Sequence, residues 1–369
     1  EGGSFDGVID VTRESTLFAD GFTTLRGTLR GDADLIVHGT LDDSYDRYVG
    51  VFGDASEFSG DFRVESGSLR LGAPAGAGTG DIHVRPGARL ILGSWRETSP
   101  ATQIDNTVYV QGGTLISTPP TRGGVAPPAS FTGDVYVTDE ALIGAIRLGN
   151  GAGDSVPGLS FAGRLILGDQ ATIYGLSDSR NSRFDGAATT LVDVSGELVV
   201  AQQTAWHLLT STVSVSGAIR SSVPEGSINF VGHQDALDLS QAKFQVDASY
   251  GLEVQFNGAP FDVQLRGDQA GLAGDGRFAA NLELTDGATI SPGNSIGEIT
   301  VVGNTTFGGG ATYEWEAASE EGVDGMSWDA VRVEGELSFT ATVAHPWVLR
   351  VTDLPDVLPT AAGFWQIVS

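Results

Sequence analysis

A short phrase recurs along this chain: an apolar-x-apolar triplet, a glycine within two or three residues, and then a second alternating apolar run. It is written Phe62-Arg63-Val64-Glu65-Ser66-Gly67-Ser68-Leu69-Arg70-Leu71 and, about twenty residues on, Ile82-His83-Val84-Arg85-Pro86-Gly87-Ala88-Arg89-Leu90-Ile91-Leu92. Related phrases begin near Val108, Val135, Leu165, Val192, Val213, Leu282, Ile299 and Val331. Short strands joined by glycine turns at a spacing of roughly 20 to 30 residues cannot each bury an apolar face alone. They do so by stacking on one another, which is the logic of a β-solenoid. Apolar residues recur at period 2 rather than 3.6, so the chain is expected to be all-β. The nearest departure is the cluster Ala205, Trp206, Leu208 and Leu209, which fits one helical turn or an irregular rung.

Residues 1–50 read as an N-terminal cap or early rungs. A Gly-Thr-Leu phrase appears there at Gly27-Thr28-Leu29 and again at Gly39-Thr40-Leu41. Residues 51–369 read as repeats continuous with that first segment, interrupted by Pro- and Gly-rich excursions at 73–78, 118–128 and 149–154 that are expected to be loops. Asn257-Gly258 lies between the alternating runs Leu252–Phe256 and Phe261–Leu265. That is the signature of a type I′ hairpin, so a small antiparallel insertion is expected near 235–266.

The chain has 20 basic and 47 acidic side chains, a formal net charge of −27. Phosphate backbones are bound by basic stripes, so a nucleic-acid partner is not expected. The basic residues are 19 arginines and one lysine, Lys243. A surface this acidic stays soluble in salt and attracts divalent cations. Cysteine is absent from the sequence, which suits an exported β-protein whose continuous core replaces disulfides. No apolar run approaches the roughly 18 residues of a membrane helix, and the start at Glu1 reads as a mature or trimmed chain.

Motifs that carry chemistry are few. Gly293-Asn294-Ser295-Ile296-Gly297 matches the G-x-S-x-G pattern of a nucleophile elbow, but an alternating strand, Glu298-Ile299-Thr300-Val301, follows where a helix is required. The histidine downstream is His345. Acidic groups Asp42, Asp43 and Asp46 beside Arg47, and Glu320, Glu321, Asp324 and Asp329, are the candidate acid–base pairs of a polysaccharide-active enzyme; they read better as solvated loop charge. The same clusters are candidate Ca²⁺ ligands, yet neither has calcium-loop spacing, so no cofactor is expected. His38, His83, His207, His233 and His345 lack any His-x-His or His-x-x-x-His pairing, so no metal site is expected. Tyr45, Tyr48, Trp95, Trp206, Trp315, Trp328, Trp347 and Trp365 would form a sugar-stacking platform if they lined one face, and otherwise a core or end shield.

The run from Leu282-x-Leu284 through Gly287-Ala288-Thr289-Ile290-Ser291-Pro292-Gly293-Asn294-Ser295-Ile296-Gly297 to Ile299-x-Val301-x-Gly303 resembles the strand, Pro-Gly-x-Ser-x-Gly turn, strand pattern of autotransporter passenger domains. The likeness continues through Gly310–Glu316 and Trp328–Leu337, and Phe58–Gly93 resembles the β-strand repeat associated with autotransporters. The resemblance implies a right-handed parallel β-helix, secreted or displayed on the surface of a bacterium. It leads to the expectation of a non-enzymatic structural or adhesive protein, a stalk, fibre or surface-coat subunit. Such a protein would act through self-association, contact with other cell-surface components, or glycans. The alternative is a polysaccharide lyase, a glycosidase or a glycan-binding module on the same scaffold.

Overall fold

The computed structural model describes residues 3–40, 47–72, 76–93, 102–117, 129–145, 158–175, 190–209, 211–246, 251–293, 295–318 and 323–353. These residues are all-β: short strands and a single 3₁₀ turn at Gln234–Ala236, with no α-helix among the described residues. The chain divides into two compact units. The first comprises Glu1–Gly196, Ala205–Ser214 and Gly232–Leu237; the second comprises Glu197–Thr204, Val215–Val231 and Asp238–Ser369.

In the first unit the chain alternates between two long parallel sheets, adding one strand to each in turn, with a strand of a shorter parallel sheet on each passage from the first to the second except between Ser68–Leu71 and Ile82–Val84. One sheet runs Gly3–Phe5, Phe22–Leu25, Tyr48–Val51, Ser68–Leu71, Arg89–Leu92, Thr114–Ser117, Glu140–Ala145, Thr172–Gly175. A second runs Ser15–Ala19, Leu35–Gly39, Phe62–Val64, Ile82–Val84, Val108–Gln111, Val135–Thr138, Arg164–Leu167. The second unit repeats the scheme, for example through Lys243–Val246, Gly271–Gly274, Thr289–Pro292, Thr312–Ala317 and Val348–Asp353. Bonds between neighbouring layers span 19 residues from Asn281 to Asp262 and 36 from Arg350 to Glu314. The strands keep their register while the connections between them absorb the variation in repeat length.

Alternation places every second side chain inward. Val108–Gln111 and Val135–Thr138 both read buried, half-buried, buried, half-buried. The inward positions form continuous columns: Leu35, Phe62, Ile82, Val108, Val135 and Leu165 in one, Val37, Val64, Val84, Val110, Val137 and Leu167 in the next. All but Leu35 are fully buried. Each buried Val, Leu, Ile or Phe contributes roughly 1.5–3 kcal/mol. Phe131 stacks on Phe161 in the layer above, centroids 5.3 Å apart. In the second unit the equivalent column is Ile219, Phe244, Leu272, Ile290 and Tyr313.

Two kinds of corner turn the chain between sheets. At one, glycine is demanded by crowding. A Cβ on Gly53 would lie 1.9 Å from the Gly27 carbonyl oxygen, and one on Gly163 would lie 2.4 Å from the carbonyl oxygens of both Gly133 and Thr132. At the other, a left-handed residue is needed. Gly67, Gly87 and Gly112 supply it with φ of 77°, 76° and 64°, but Asp139 and Gln170 occupy the corresponding turns at 62° and 60°. A left-handed L-residue costs about 1–2 kcal/mol, of which the extra entropy of an unfolded glycine would return about half. Gln170→Gly is therefore expected to raise stability by about 0.5–1 kcal/mol, read as a higher denaturant midpoint with an unchanged slope.

The structure decides one open detail of the sequence and corrects two others. Thr204–His207 is a strand with Trp206 fully buried, and Leu209 is left-handed at φ 50°, so the Ala205–Leu209 cluster is an irregular rung rather than a helical turn. The twelve-residue Gly-Thr-Leu repeat is not structural. Gly27 lies between two strands whereas Gly39 ends one, and the layers place Gly27 over Gly7 and under Gly53 instead. The hairpin at Asn257-Gly258 is present, both residues left-handed at 50° and 75° and Gln255 pairing antiparallel with Pro260. It does not extend over 235–266, because Lys243–Val246 and Asp262–Arg266 both join parallel ladders.

Candidate functional site

Outward positions on the second sheet of the first unit bring together groups that are distant in sequence. Arg63, His83, Tyr109 and Tyr136 are successive register partners. His83 stacks on Tyr109 at 4.9 Å and 7°, and Tyr109 on Tyr136 at 5.1 Å and 13°. Beside them aspartates stand just ahead of four of the strands, Asp34, Asp61, Asp81 and Asp134, while Thr107 takes that place ahead of Val108–Gln111. Asp61 donates its backbone N–H to Asp34 Oδ1 at 3.2 Å, and Asp81 donates its own to Asp61 Oδ1 at 2.9 Å. His83 Nε2 lies 3.5 Å from Asp61 Oδ2. One ligand atom each from Asp61, Asp81 and His83 lies within 4.8 Å of the others.

The spacing of His83, Asp61 and Asp81 would admit a shared cation, and the pairing of side chains reaches it only through the stacking of layers. The motif reading named His83 alone. The missed signal was the dipeptide Gly-Asp, at Gly60-Asp61, Gly80-Asp81 and Gly133-Asp134, which places a carboxylate beside these three crowded corners. Asp61 already accepts a backbone N–H, and Arg63 directs its guanidinium to Asp34 at 3.4 Å and Glu14 at 3.6 Å. The chemistry shown is cross-layer bonding. Burial, reinforced by the charges of Asp81 and its neighbours, raises the Tyr109 phenol above its ordinary range. Both faces of Tyr109 are covered by its neighbours, so only its edge is free to meet a ligand.

Six further outward arginines are spent the same way. Arg30 reaches Asp10, Arg85 reaches Glu65, Arg164 reaches Asp134, Arg220 reaches Glu197, Arg332 reaches Glu298 and Arg350 reaches Glu314. In each pair the partners come from neighbouring layers.

The acidic loop candidates separate. Asp42, Asp43, Asp46, Glu320 and Glu321 lie outside the described residues. Asp324 accepts the indole N–H of Trp328 at 2.8 Å. Asp329 is no solvated charge: it is 1% exposed and accepts backbone N–H groups from Gly297 at 2.9 Å and Glu316 at 2.8 Å. Its own carbonyl accepts the Trp315 indole N–H at 2.8 Å. Sequence could not distinguish this staple from loop charge, because its partners belong to two other segments. Burial pushes its carboxyl up to about 7, opposed by the two N–H donors and assisted by Glu316.

Ser295 is exposed and leads into the strand Glu298–Val301, and the His345 ring lies over Gly309. Among the described aromatic residues, Tyr48, Trp206 and Trp315 are buried, and Trp347 packs on Phe307 and Phe339. Tyr45, Trp95 and Trp365 lie outside the described residues.

A groove of about 450 Å³ crosses the outer face of the second unit. Its floor is Gly271, Ala273, Thr289, Ser291 and Thr312, and it is walled by Lys243 and Gln245 on one side and by Glu314 and Arg350 on the other. Gly271 is small by necessity, since a Cβ there would meet the Thr289 carbonyl oxygen at 2.7 Å. Compared with known proteins, the chain matches no family model, no curated protein sequence and no solved structure.

Proposed function

We propose that the chain is a β-solenoid of the right-handed parallel β-helix type, as its resemblance to autotransporter passenger domains implies. In this reading it serves as an exported bacterial structural or adhesive protein at the cell surface and catalyses no reaction. The observation that supports a structural role most directly is the use made of the outward side chains. Arginine–carboxylate pairs, aspartate-to-backbone bonds and ring stacks join each layer to the next. Individually such exposed pairs contribute little, about 0–1 kcal/mol. Repeated from layer to layer, they hold the register of a scaffold whose function lies in its extended surface.

Self-association is the expected mode of action, and sedimentation velocity over a hundredfold range of concentration tests it, with and without Ca²⁺. Species heavier than the 38.3 kDa chain should appear as concentration rises, and electron microscopy should show ordered fibres or sheets. A monomer throughout would remove self-assembly from the proposal. Surface location is tested by protease shaving of intact cells of the source organism, which should release the protein.

A further inference from the structure

We propose that the groove on the second unit binds an acidic saccharide, a polyhydroxylated ligand carrying a carboxylate. The inference goes beyond the structural role and does not depend on export or self-association. The groove exists because two consecutive layers contribute only small outward residues. Lys243 is followed in register by Gly271 and Thr289, and Gln245 by Ala273 and Ser291. Larger side chains resume at Glu314 and Arg350, themselves register partners. From the Lys243 layer to the Thr312 layer there are three strand spacings, about 14 Å at ~4.8 Å each. The volume falls in the range of small-molecule sites.

Its chemistry narrows the class of ligand. The floor offers hydroxyls at Thr289, Ser291 and Thr312, and the rim offers amides at Gln245 and Gln269. These groups both donate and accept, as sugar hydroxyls require. Leu272 lines the groove by its backbone only, its side chain being fully buried in the core. There is no apolar pocket for a peptide side chain among the lining residues.

Charge supplies the second criterion. Arg350 is engaged by Glu314. Lys243, the single lysine of a chain with net charge −27, has only the Gln269 amide oxygen at 3.4 Å and no carboxylate partner among the described residues. Arg30, Arg85, Arg164, Arg220, Arg332 and Arg350 find carboxylates in the next layer, whereas the layer next to Lys243 presents Gly271. Asp268 also lines the groove but makes no ion pair with Lys243 among the described residues, which leaves the ammonium at the rim available to one ligand carboxylate. One ammonium does not supply the row of cations that a nucleic acid or other polyanion demands.

Isothermal titration with trigalacturonate and, separately, with xylotriose, both in EDTA, tests the proposal on the intact chain. Trigalacturonate should bind with a dissociation constant below about 1 mM and weaken as salt is raised. Lys243→Gln should weaken it at least fivefold. Ala273→Trp fills the floor from an outward position and should abolish binding, with an unchanged circular dichroism spectrum showing that the fold is retained. Absence of heat with trigalacturonate at 10 mM would overturn the proposal. Equal affinity for xylotriose, or binding undiminished in Ala273→Trp, would overturn it as well.

Discussion

Gly163→Ala is expected to cost about 3 kcal/mol or more of stability, the upper part of the range for steric overfilling. The new methyl carbon would sit 2.4 Å from two backbone carbonyl oxygens, those of Gly133 and Thr132. Neither oxygen belongs to a side chain that can rotate away. Relief requires separating two layers whose parallel register continues on both sides of the corner. Gly87→Ala is the proper comparison, because a Cβ there meets nothing within 4 Å and the only penalty is its φ of 76°. That penalty is about 1–2 kcal/mol. Denaturant titration of both variants reads the difference directly. A Gly163→Ala protein no less stable than Gly87→Ala would show that the layers do not approach this closely.

The second large effect concerns Asp329. Removing its carboxylate by Asp329→Ala leaves the Gly297 and Glu316 N–H groups without their acceptor, at about 1–3 kcal/mol for each group that remains buried. The pH dependence is more diagnostic. The carboxyl titrates near 3.8 in the unfolded chain and is pushed up to about 7 in the folded one. Below about pH 4 both states hold the proton. Between about 4 and 7 the native state keeps a proton that the unfolded chain releases, so stability falls as pH rises across this window, by a few kcal/mol in all. Asp329→Asn cannot titrate and sets an amide NH₂ against one of the two N–H donors. It should be less stable than the natural protein at pH 5, and the gap should narrow by pH 8. Parallel stability curves from pH 4.5 to 8 would refute the buried, protonated carboxyl.

Much of the fold was legible because its cause is local. Val-Tyr-Val-Gln and Val-Tyr-Val-Thr alternate with period 2, and an alternating segment can only be a strand with one buried face. Asn257-Gly258 announced its hairpin because the two left-handed residues of a type I′ turn are chemically constrained. What misled was a local match without a structural counterpart, the Gly-Thr-Leu repeat. Gly27 is fixed by the carbonyl of Gly7 directly beneath it, and no pattern within either phrase records what lies underneath.

The groups with chemical potential show the same division more sharply. His83 could be listed among scattered histidines, but its nearness to Asp61 and Asp81 arises from layers stacked in register. Asp324 and Asp329 look alike in sequence. One holds an indole at the surface of its turn and the other is sealed between Gly297 and Glu316. Lys243 was visible as the one lysine, yet the groove beside it exists only because Gly271 and Ala273 fall on the adjacent layer.

By itself, then, the sequence determined that the chain would be all-β, repetitive and acidic, because periodicity, glycine spacing and charge are properties of neighbouring residues. Tertiary structure alone decided which corners cannot tolerate a methyl group, which carboxylate is buried and which outward side chains face an empty floor. Each of those depends on residues from other segments, 13 to 36 positions away along the chain. Register between layers is set by the packing of the whole inward column rather than by any one repeat.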